Sequence, residues 1–217
     1  MNIEKEVWFI TSSNSGLGRS LTEAVLAKGD NAIATTRHPE EIKDLEDRYP
    51  ETVKAVVLDI TNSDEINSAL GIALSTFGNI DVLVNNAGSA TMGAVEEISD
   101  EQVRQQFEVN FFGTLNLTKA MLPYFRQKKS GHILNISSVG GFTALPGTGI
   151  YSASKFALEG YSEALAKEIE PLGIKLTLVE PGAFRTDTKS DYQSKYKIRK
   201  NKQEMFNAKK SLFSKTL

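Results

Sequence analysis

The chain has 217 residues, of which 40% are hydrophobic and 24% charged, with a formal net charge of −2 and no cysteine. This length fits one domain, and the lack of cysteine excludes disulfides, thiolate chemistry and sulfur-ligated metal sites. The start, MNIEKEVWFIT, has no secretory-signal pattern, and no run approaches the roughly 18 apolar residues of a membrane span. We therefore expect a cytoplasmic protein without a membrane partner.

Charge is distributed unevenly along the chain. Residues 188–217 carry nine Lys/Arg and two Asp/Glu, so this tail is basic while residues 1–187 are acidic. Such a tail can bind nucleic acid or a membrane, but a solvated helix that docks as a lid on the acidic body is the simpler interpretation. We predict a single domain over 1–187, a tail over 188–217 that is a partial lid or poorly ordered, and no nucleic-acid partner.

Six apolar, β-branched runs alternate with stretches of helical spacing. We predict strands at 7–11, 31–36, 53–58, 80–85, 132–137 and 174–179. Several runs are apolar throughout, which favours strands that are buried on both faces. With the regular strand–helix order, this pattern predicts an α/β fold: a Rossmann-type, doubly wound parallel sheet of about six strands with helices on both faces.

The helices are predicted from caps and apolar spacing. One begins at the glycine-containing turn after the first strand, a second at Pro39, and a third is capped by Ser63 or Asp64. A long fourth helix has apolar positions three or four residues apart, at Val103, Phe107, Phe111, Leu115, Thr118 and Leu122. A last amphipathic helix covers 151–172.

The turn after the first strand has the composition of a phosphate-binding site. Its residues are Thr11, Ser12, Ser13, Asn14, Ser15, Gly16, Leu17 and Gly18. A helix start offers unpaired N–H groups and the positive end of a dipole, which suit a pyrophosphate, and the two glycines allow close approach. An ordinary glycine-containing helix entry explains the same residues, so the turn alone leaves both interpretations open.

The end of the second strand bears on which dinucleotide binds. A site for NAD usually has an acidic residue there, which accepts a hydrogen bond from the ribose 2′-hydroxyl. Here Thr36 is followed by Arg37, whose planar guanidinium can bind a 2′-phosphate. We predict NADP, with NAD the less favoured choice; the alternative is that Arg37 is an ordinary solvated arginine.

Tyr151 and Lys155 are four residues apart, which places both side chains on one face of the last helix. An ammonium beside a phenol favours the ionised phenol, so the pair suits acid–base chemistry near neutral pH. Taken alone, a surface tyrosine–lysine pair is the commoner explanation. Ser138 after the fifth strand and Asn110 in the long apolar helix are further candidates. A buried asparagine needs a role, or makes a satisfied hydrogen bond that distorts its helix.

These motifs together resemble the short-chain dehydrogenase/reductase family. The turn at 11–18 is similar to its Thr-Gly-x-x-x-Gly-x-Gly motif, except that Ser12 stands where the family usually has glycine. Residues 85–88 match its Asn-Asn-Ala-Gly motif, and residues 181–182 its Pro-Gly turn. Its Asn-Ser-Tyr-Lys tetrad is matched, in order and spacing, by Asn110, Ser138, Tyr151 and Lys155.

The resemblance implies an oxidoreductase that transfers a hydride between NADP(H) and a small carbonyl or alcohol substrate. In that family pattern Tyr151 is the proton donor and acceptor, and Ser138 binds the substrate oxygen. Lys155 tunes Tyr151 and holds the ribose, while Asn110 positions a water. Ser137 is the competing serine, and the thirteen-residue gap to Tyr151 favours Ser138.

The resemblance also implies a set of cofactor contacts and no metal. These contacts are Thr11, Ser13, Asn14, Ser15, Gly16, Leu17, Gly18, Arg37, Asp59, Ile60, Asn86, Ala87, Gly88, Tyr151, Lys155, Pro181, Gly182 and Thr186. Asp59 is matched to an adenine contact, with a turn or cap aspartate as the alternative. Ser12 is expected to fit with a negative φ.

The chain departs from the family after residue 186. No β-branched run follows that could form a seventh strand. The resemblance therefore implies a short variant with an open site or a truncated chain, and a non-catalytic, NADP-responsive binding protein is the alternative function. The long fourth helix and the helix of Tyr151 are the expected surface of a homodimer.

Overall fold

A computed structural model describes residues 5–182. Its centre is a six-stranded parallel sheet in the order β3-β2-β1-β4-β5-β6. The strands are β1 (Val7–Ile10), β2 (Asn31–Thr36), β3 (Val53–Val57), β4 (Val82–Asn85), β5 (Gly131–Ile136) and β6 (Ile174–Val179). This order confirms the predicted doubly wound sheet and makes the gap between β1 and β4 its switch point.

Helices cover both faces of the sheet. They are α1 (Gly16–Lys28), α2 (Lys43–Arg48), α3 (Ser63–Phe77), α4 (Asp100–Phe107), α5 (Thr114–Lys128) and α6 (Gly149–Ile169). Successive residues of β1 point to opposite faces, so that Phe9 packs in the core beneath α3, α5 and α6, and Ile10 in the core beneath α1 and α2. No helix within residues 5–182 is long and apolar enough to cross a membrane.

The cap of α3 differs from the prediction. The side chain of Asn62 accepts hydrogen bonds from the backbone N–H of Asp64 at 3.0 Å and of Glu65 at 3.3 Å. Ser63 and Asp64 are therefore the first two residues of the helix and not its cap. Asparagine is a strong N-cap, but the sequence does not single it out, because two further capping residue types follow it directly.

The long helix also differs, because it is interrupted by a π-helical turn at Glu108–Gly113 between α4 and α5. Such a turn inserts an extra residue and rotates the helix face that follows. The residues that become fully buried are Gln106, Asn110, Gly113, Thr114, Leu117, Thr118, Met121 and Phe125. Of the predicted apolar stripe only Thr118 is fully buried, since Val103, Phe107, Phe111, Leu115 and Leu122 keep part of their surface exposed.

The tail at 188–217, and with it the end of the predicted domain at residue 187, lies outside the described residues.

Candidate functional site

Thr11 joins the loops that follow β1 and β4. Its hydroxyl oxygen accepts hydrogen bonds from the backbone N–H of Asn86 and of Ala87, both at 2.8 Å, and donates to the carbonyl of Val84 at 3.1 Å. Because Thr11 is buried, these bonds are shielded from water. They tie together the two predicted motifs across 75 residues of sequence.

The side chain of Asn86 makes a second set of hydrogen bonds between the same two loops. Its amide donates to the carbonyls of Thr11 at 2.9 Å and of Ser12 at 3.2 Å. A Cβ atom on Gly18 would lie 2.1 Å from the Ser12 oxygen and 2.4 Å from the Asn86 nitrogen. Only glycine fits at this position, since real Cβ atoms do not come within 3.0 Å of other heavy atoms.

The conformation of Ser12 is opposite to the expected one. Its φ is +57°, in the left-handed region, whereas a negative value was expected. A non-glycine residue in this region costs about 1–2 kcal/mol, which explains why glycine suits the position better. The Ser12 hydroxyl lies 3.4 Å from the side-chain oxygen of Asn14, so it contacts its own turn.

The start of α1 fits a phosphate group. Ser15 precedes the helix with an extended backbone, and its side chain makes no capping hydrogen bond. The N–H groups at the first turn are therefore not capped by a side chain within residues 5–182, beside Gly16 with its φ of +53° and Leu17. The side chains of Ser13 and Asn14 bind the protein instead, through the carbonyl of Ile10 and the carboxylate of Glu41.

The ends of β2 and β3 carry the residues predicted for the adenosine side. Arg37 is exposed directly after β2 and makes no ion pair with any residue among 5–182. The carboxylate of Asp59 accepts from the backbone N–H and the hydroxyl of Thr61, so the turn role given above as the alternative is present. Ile60 is buried against the π-turn, where a Cβ on Gly113 would lie 2.7 Å from its side chain.

Ser138 and Tyr151 both lie close to Gly140. A Cβ on this glycine would lie 2.9 Å from the ring carbon Cε1 of Tyr151 and 3.4 Å from Oγ of Ser138. The serine oxygen accepts a hydrogen bond from the Gly140 N–H at 3.0 Å, which leaves its own hydrogen free to donate. Ser137 lies elsewhere, because its hydroxyl is buried beside Gly141.

Lys155 is almost fully buried on the same face of α6. Its ammonium donates to the carbonyl of Ile136 in β5 at 2.8 Å. Burial lowers the pKa of Lys155 to about 8, and the negative charge of Glu159 acts in the opposite direction. The ammonium also lies near the loop after β4, since a Cβ on Gly88 would be 3.8 Å from it.

Asn110 is held in the π-turn by a complete set of side-chain hydrogen bonds. Its oxygen accepts from the N–H of Ser89 at 2.8 Å, and its amide donates to the Ser89 carbonyl and to the Ser154 hydroxyl, both at 3.0 Å. Ser154 in turn donates to the carbonyl of Tyr151 at 2.7 Å. The satisfied asparagine and the distorted helix that were one alternative are thus both present, and they fix the start of α6.

The Pro-Gly turn follows β6 at the same edge of the sheet. The carbonyl of Pro181 accepts from the N–H of Val139 at 3.2 Å, so it braces the loop that carries Ser138. Gly182 is exposed. Thr186 lies outside the described residues. No group of three potential metal-ligating side chains (His, Cys, Asp or Glu) is found within residues 5–182.

Sequence reasoning missed several residues that support this site. Gln106 is fully buried, and its side chain binds the carbonyl of Ser89 at 2.7 Å and the N–H of Thr91. Its position one helical turn before Asn110 was the available signal. Glu159, one turn after Lys155, was missed for the opposite reason, because glutamate on a helix is usually solvated.

Comparison with known proteins decides the family. The family model described as short chain dehydrogenase matches residues 6–197. The chain belongs to the short-chain dehydrogenase family. It is 44% identical over 183 residues to an oxidoreductase, BOA17, of Botryotinia fuckeliana, covering 84% of this chain and 67% of that protein. It is 42% identical over 184 residues to a 3-ketodihydrosphingosine reductase of Bacteroides thetaiotaomicron, covering 85% and 66%.

Several solved structures have the same fold. ElxO with NADP bound has a TM-score of 0.82 and 28% identity, over 88% of this chain and 79% of that chain. A short-chain dehydrogenase/reductase from Burkholderia phymatum in complex with NAD also has a TM-score of 0.82, with 25% identity, over 91% and 72%. The chain spans about two thirds of the length of the curated relatives reported above. The predicted family of oxidoreductases is thereby confirmed.

Proposed function

We propose that the protein transfers a hydride between NADP(H) and a carbonyl or alcohol substrate, with Tyr151 as the proton donor and acceptor. One observation carries this proposal. Ser138 and Tyr151 both approach Gly140, while Lys155 and Asn110 both approach Gly88. The four side chains of the sequence tetrad thus flank two glycines at the carboxyl edge of the sheet, where α/β folds bind their ligands.

NADPH, when bound, supplies the hydride, and the protein supplies position and electrostatics. In the reduction, the Tyr151 hydroxyl gives its proton to the substrate oxygen. Ser138 donates a hydrogen bond to the same oxygen and stabilises the charge that develops there. This donation is available because Ser138 only accepts in its bond with the Gly140 N–H, which leaves the hydroxyl hydrogen free.

Lys155 supports Tyr151 from one turn further along α6. Its ammonium favours the ionised phenol after the proton has left, and it can donate to the ribose of the cofactor. Asn110 fixes the start of this helix through Ser154, so that Tyr151 and Lys155 stay in register. We also propose that Asn110 positions a water for the proton relay; its side-chain amide hydrogens are committed to Ser89 and Ser154, so this water would bind another polar group of the residue.

The cofactor side of the proposal rests on the first turn of α1 and on Arg37. The uncapped helix start suits a pyrophosphate, and the close approach at Gly18 leaves no side chain in its way. Arg37 has no carboxylate partner within residues 5–182, so its guanidinium can receive a 2′-phosphate. The similarity of the chain to ElxO, which has NADP bound, also supports NADP as the cofactor, with NAD less favoured.

The loops around Tyr151 favour an uncharged substrate with an apolar substituent. The three most exposed large hydrophobic side chains within residues 5–182 all lie there: Phe142 at 79%, Val95 at 68% and Leu145 at 67%. The segment 137–150 contains no charged residue. Val95 reaches the first residue of α6, because a Cβ on Gly149 would lie 3.3 Å from it.

The test is NADPH oxidation by the purified protein with 2-alkanones of increasing length. We expect kcat/KM to rise with each buried methylene, by up to about fourfold for full burial.

Tyr151→Phe should abolish turnover and leave NADPH binding nearly unchanged. Phe142→Ser should flatten the dependence on chain length, whereas Val57→Ser, an exposed apolar residue on the distant strand β3, should not. Full activity of Tyr151→Phe would refute the mechanism.

A non-catalytic, NADP-responsive protein is the second candidate, and the left-handed φ of Ser12 favours it. Strain at this turn weakens cofactor binding only modestly, so the two candidates share the binding step. They differ in turnover. Saturable NADPH binding with no loss of NADPH absorbance on any ketone or aldehyde would support the second candidate and exclude the first.

The proposed assembly is a homodimer through the π-turn, α5 and α6. Phe112 and Phe156 are 41% and 48% exposed on these elements, and apolar side chains at the surface of a helix pair suit a two-fold contact. Sedimentation of the wild type and of Phe156→Ser tests it, since the variant should sediment as a monomer.

A further inference from the structure

One carboxylate oxygen of the half-buried Glu159 has no hydrogen-bond partner within residues 5–182. Its oxygen Oε1 is inaccessible to solvent and accepts no hydrogen bond from the rest of residues 5–182. An unpaired buried carboxylate oxygen is costly, so such a group usually has a partner or a function. The residue lies one turn after Lys155 in α6, on the same face of the helix.

Gly141 makes room for this carboxylate. A Cβ on Gly141 would lie 2.9 Å from the Glu159 oxygen and 2.6 Å from the hydroxyl oxygen of Ser137, which is also buried and unpaired. Glu159 is thus packed beneath the loop that carries Ser138. A glycine at this point of the loop admits a charged oxygen that any larger residue would displace.

The negative charge of Glu159 acts on the Lys155 ammonium in the direction that favours its charged form. No direct ion pair joins the two, so the charge acts through the protein interior, where charges are weakly screened. The other groups placed near Lys155 are uncharged: the amide of Asn110, the backbone of Gly88 and the carbonyl of Ile136.

We infer that Glu159 is a positioning residue whose carboxylate, packed under Gly141, keeps Lys155 in its ammonium form and so sets the alkaline limit of turnover. This inference rests on the proposed function, because it assigns Glu159 a part in the ionisation of that site. Burial by itself favours the neutral amine, and one opposite charge nearby counteracts it. The negative charge is therefore the requirement, and hydrogen bonding to Lys155 is not.

The test is the pH titration of Lys155 in protein labelled with 13C at lysine Cε, with its resonance assigned by Lys155→Arg. Glu159→Gln should lower the midpoint by on the order of one pH unit, and Glu159→Asp should restore part of the shift. The alkaline limb of kcat/KM for ketone reduction should move in the same direction. Glu163→Gln is the matched control, because Glu163 is exposed on the next turn and pairs with Lys167 at 2.8 Å.

An unchanged Lys155 midpoint in folded Glu159→Gln would overturn the inference. If that variant does not fold, Glu159→Met carries the test, since an apolar side chain of similar length needs no buried partners. The resonance titrates whether or not the protein turns over a ketone. A lowered midpoint in a protein without turnover would therefore refute the proposed function and leave the electrostatic role of Glu159 standing.

Discussion

The hydroxyl of Thr11 provides a test of how the site is assembled. It holds the N–H groups of Asn86 and Ala87 at 2.8 Å each and binds the carbonyl of Val84 at 3.1 Å. Thr11→Val keeps the branched shape of the side chain and removes the hydroxyl. Two backbone N–H groups then lose their acceptor, and the loop after β4 keeps only the backbone bond of Thr11 to Val84 and the bonds from the Asn86 amide to the turn after β1.

The expected cost follows from these lost contacts. An unpaired buried donor costs about 1–3 kcal/mol. Asn86 and Ala87 are only partly buried, so water can recover some of this cost. We therefore expect Thr11→Val to lower the free energy of unfolding by about 2–4 kcal/mol, which corresponds to roughly 1 M in the urea midpoint.

Urea unfolding can be followed through Trp8, the single tryptophan, which lies in β1 three residues before Thr11. Thr11→Ser is the control, because it keeps the hydroxyl and loses one methyl group, at a cost of about 1 kcal/mol. NADPH affinity should fall in the valine variant more than in the serine variant. The reasoning is refuted if the two variants are equally stable.

Three further outcomes are expected. Gly18→Ala should abolish NADPH binding, measured by titration calorimetry, because the new Cβ would lie 2.1 Å from the Ser12 oxygen. Arg37→Ala should weaken NADPH binding about tenfold or more while leaving NADH binding within twofold, by loss of a charge-assisted contact; equal losses would remove the basis for the NADP preference. In a pH profile, kcat/KM for reduction should fall as pH rises through about 8, because Lys155, whose pKa burial lowers to about 8, loses its charge above that value.

Contacts between residues close in sequence were predictable, and contacts across the fold were not. The strands at 31–36 and 174–179 have the predicted bounds. A continuous apolar run that ends at polar or turn residues leaves little choice of where the strand begins and ends. The cap of α3 was misplaced by one or two residues, because several neighbouring residues suit a cap equally well. A local distortion of the helix at Asn110 was one alternative from the sequence, but its form as a π-turn was not predicted, since the register shift depends on what Asn110 binds, 21 and 44 residues away.

From the sequence alone came the alternation of strands and helices, the glycine-containing turn, and the Tyr151–Lys155 spacing on one helix face, because each depends on near neighbours and on hydrophobic period. Only the tertiary structure decided the positive φ of Ser12, the hydrogen bonds from Thr11 to the loop after β4, and the burial of the Glu159 oxygen Oε1 beside Gly141. These features arise where parallel strands end side by side and bring together groups that lie far apart along the chain.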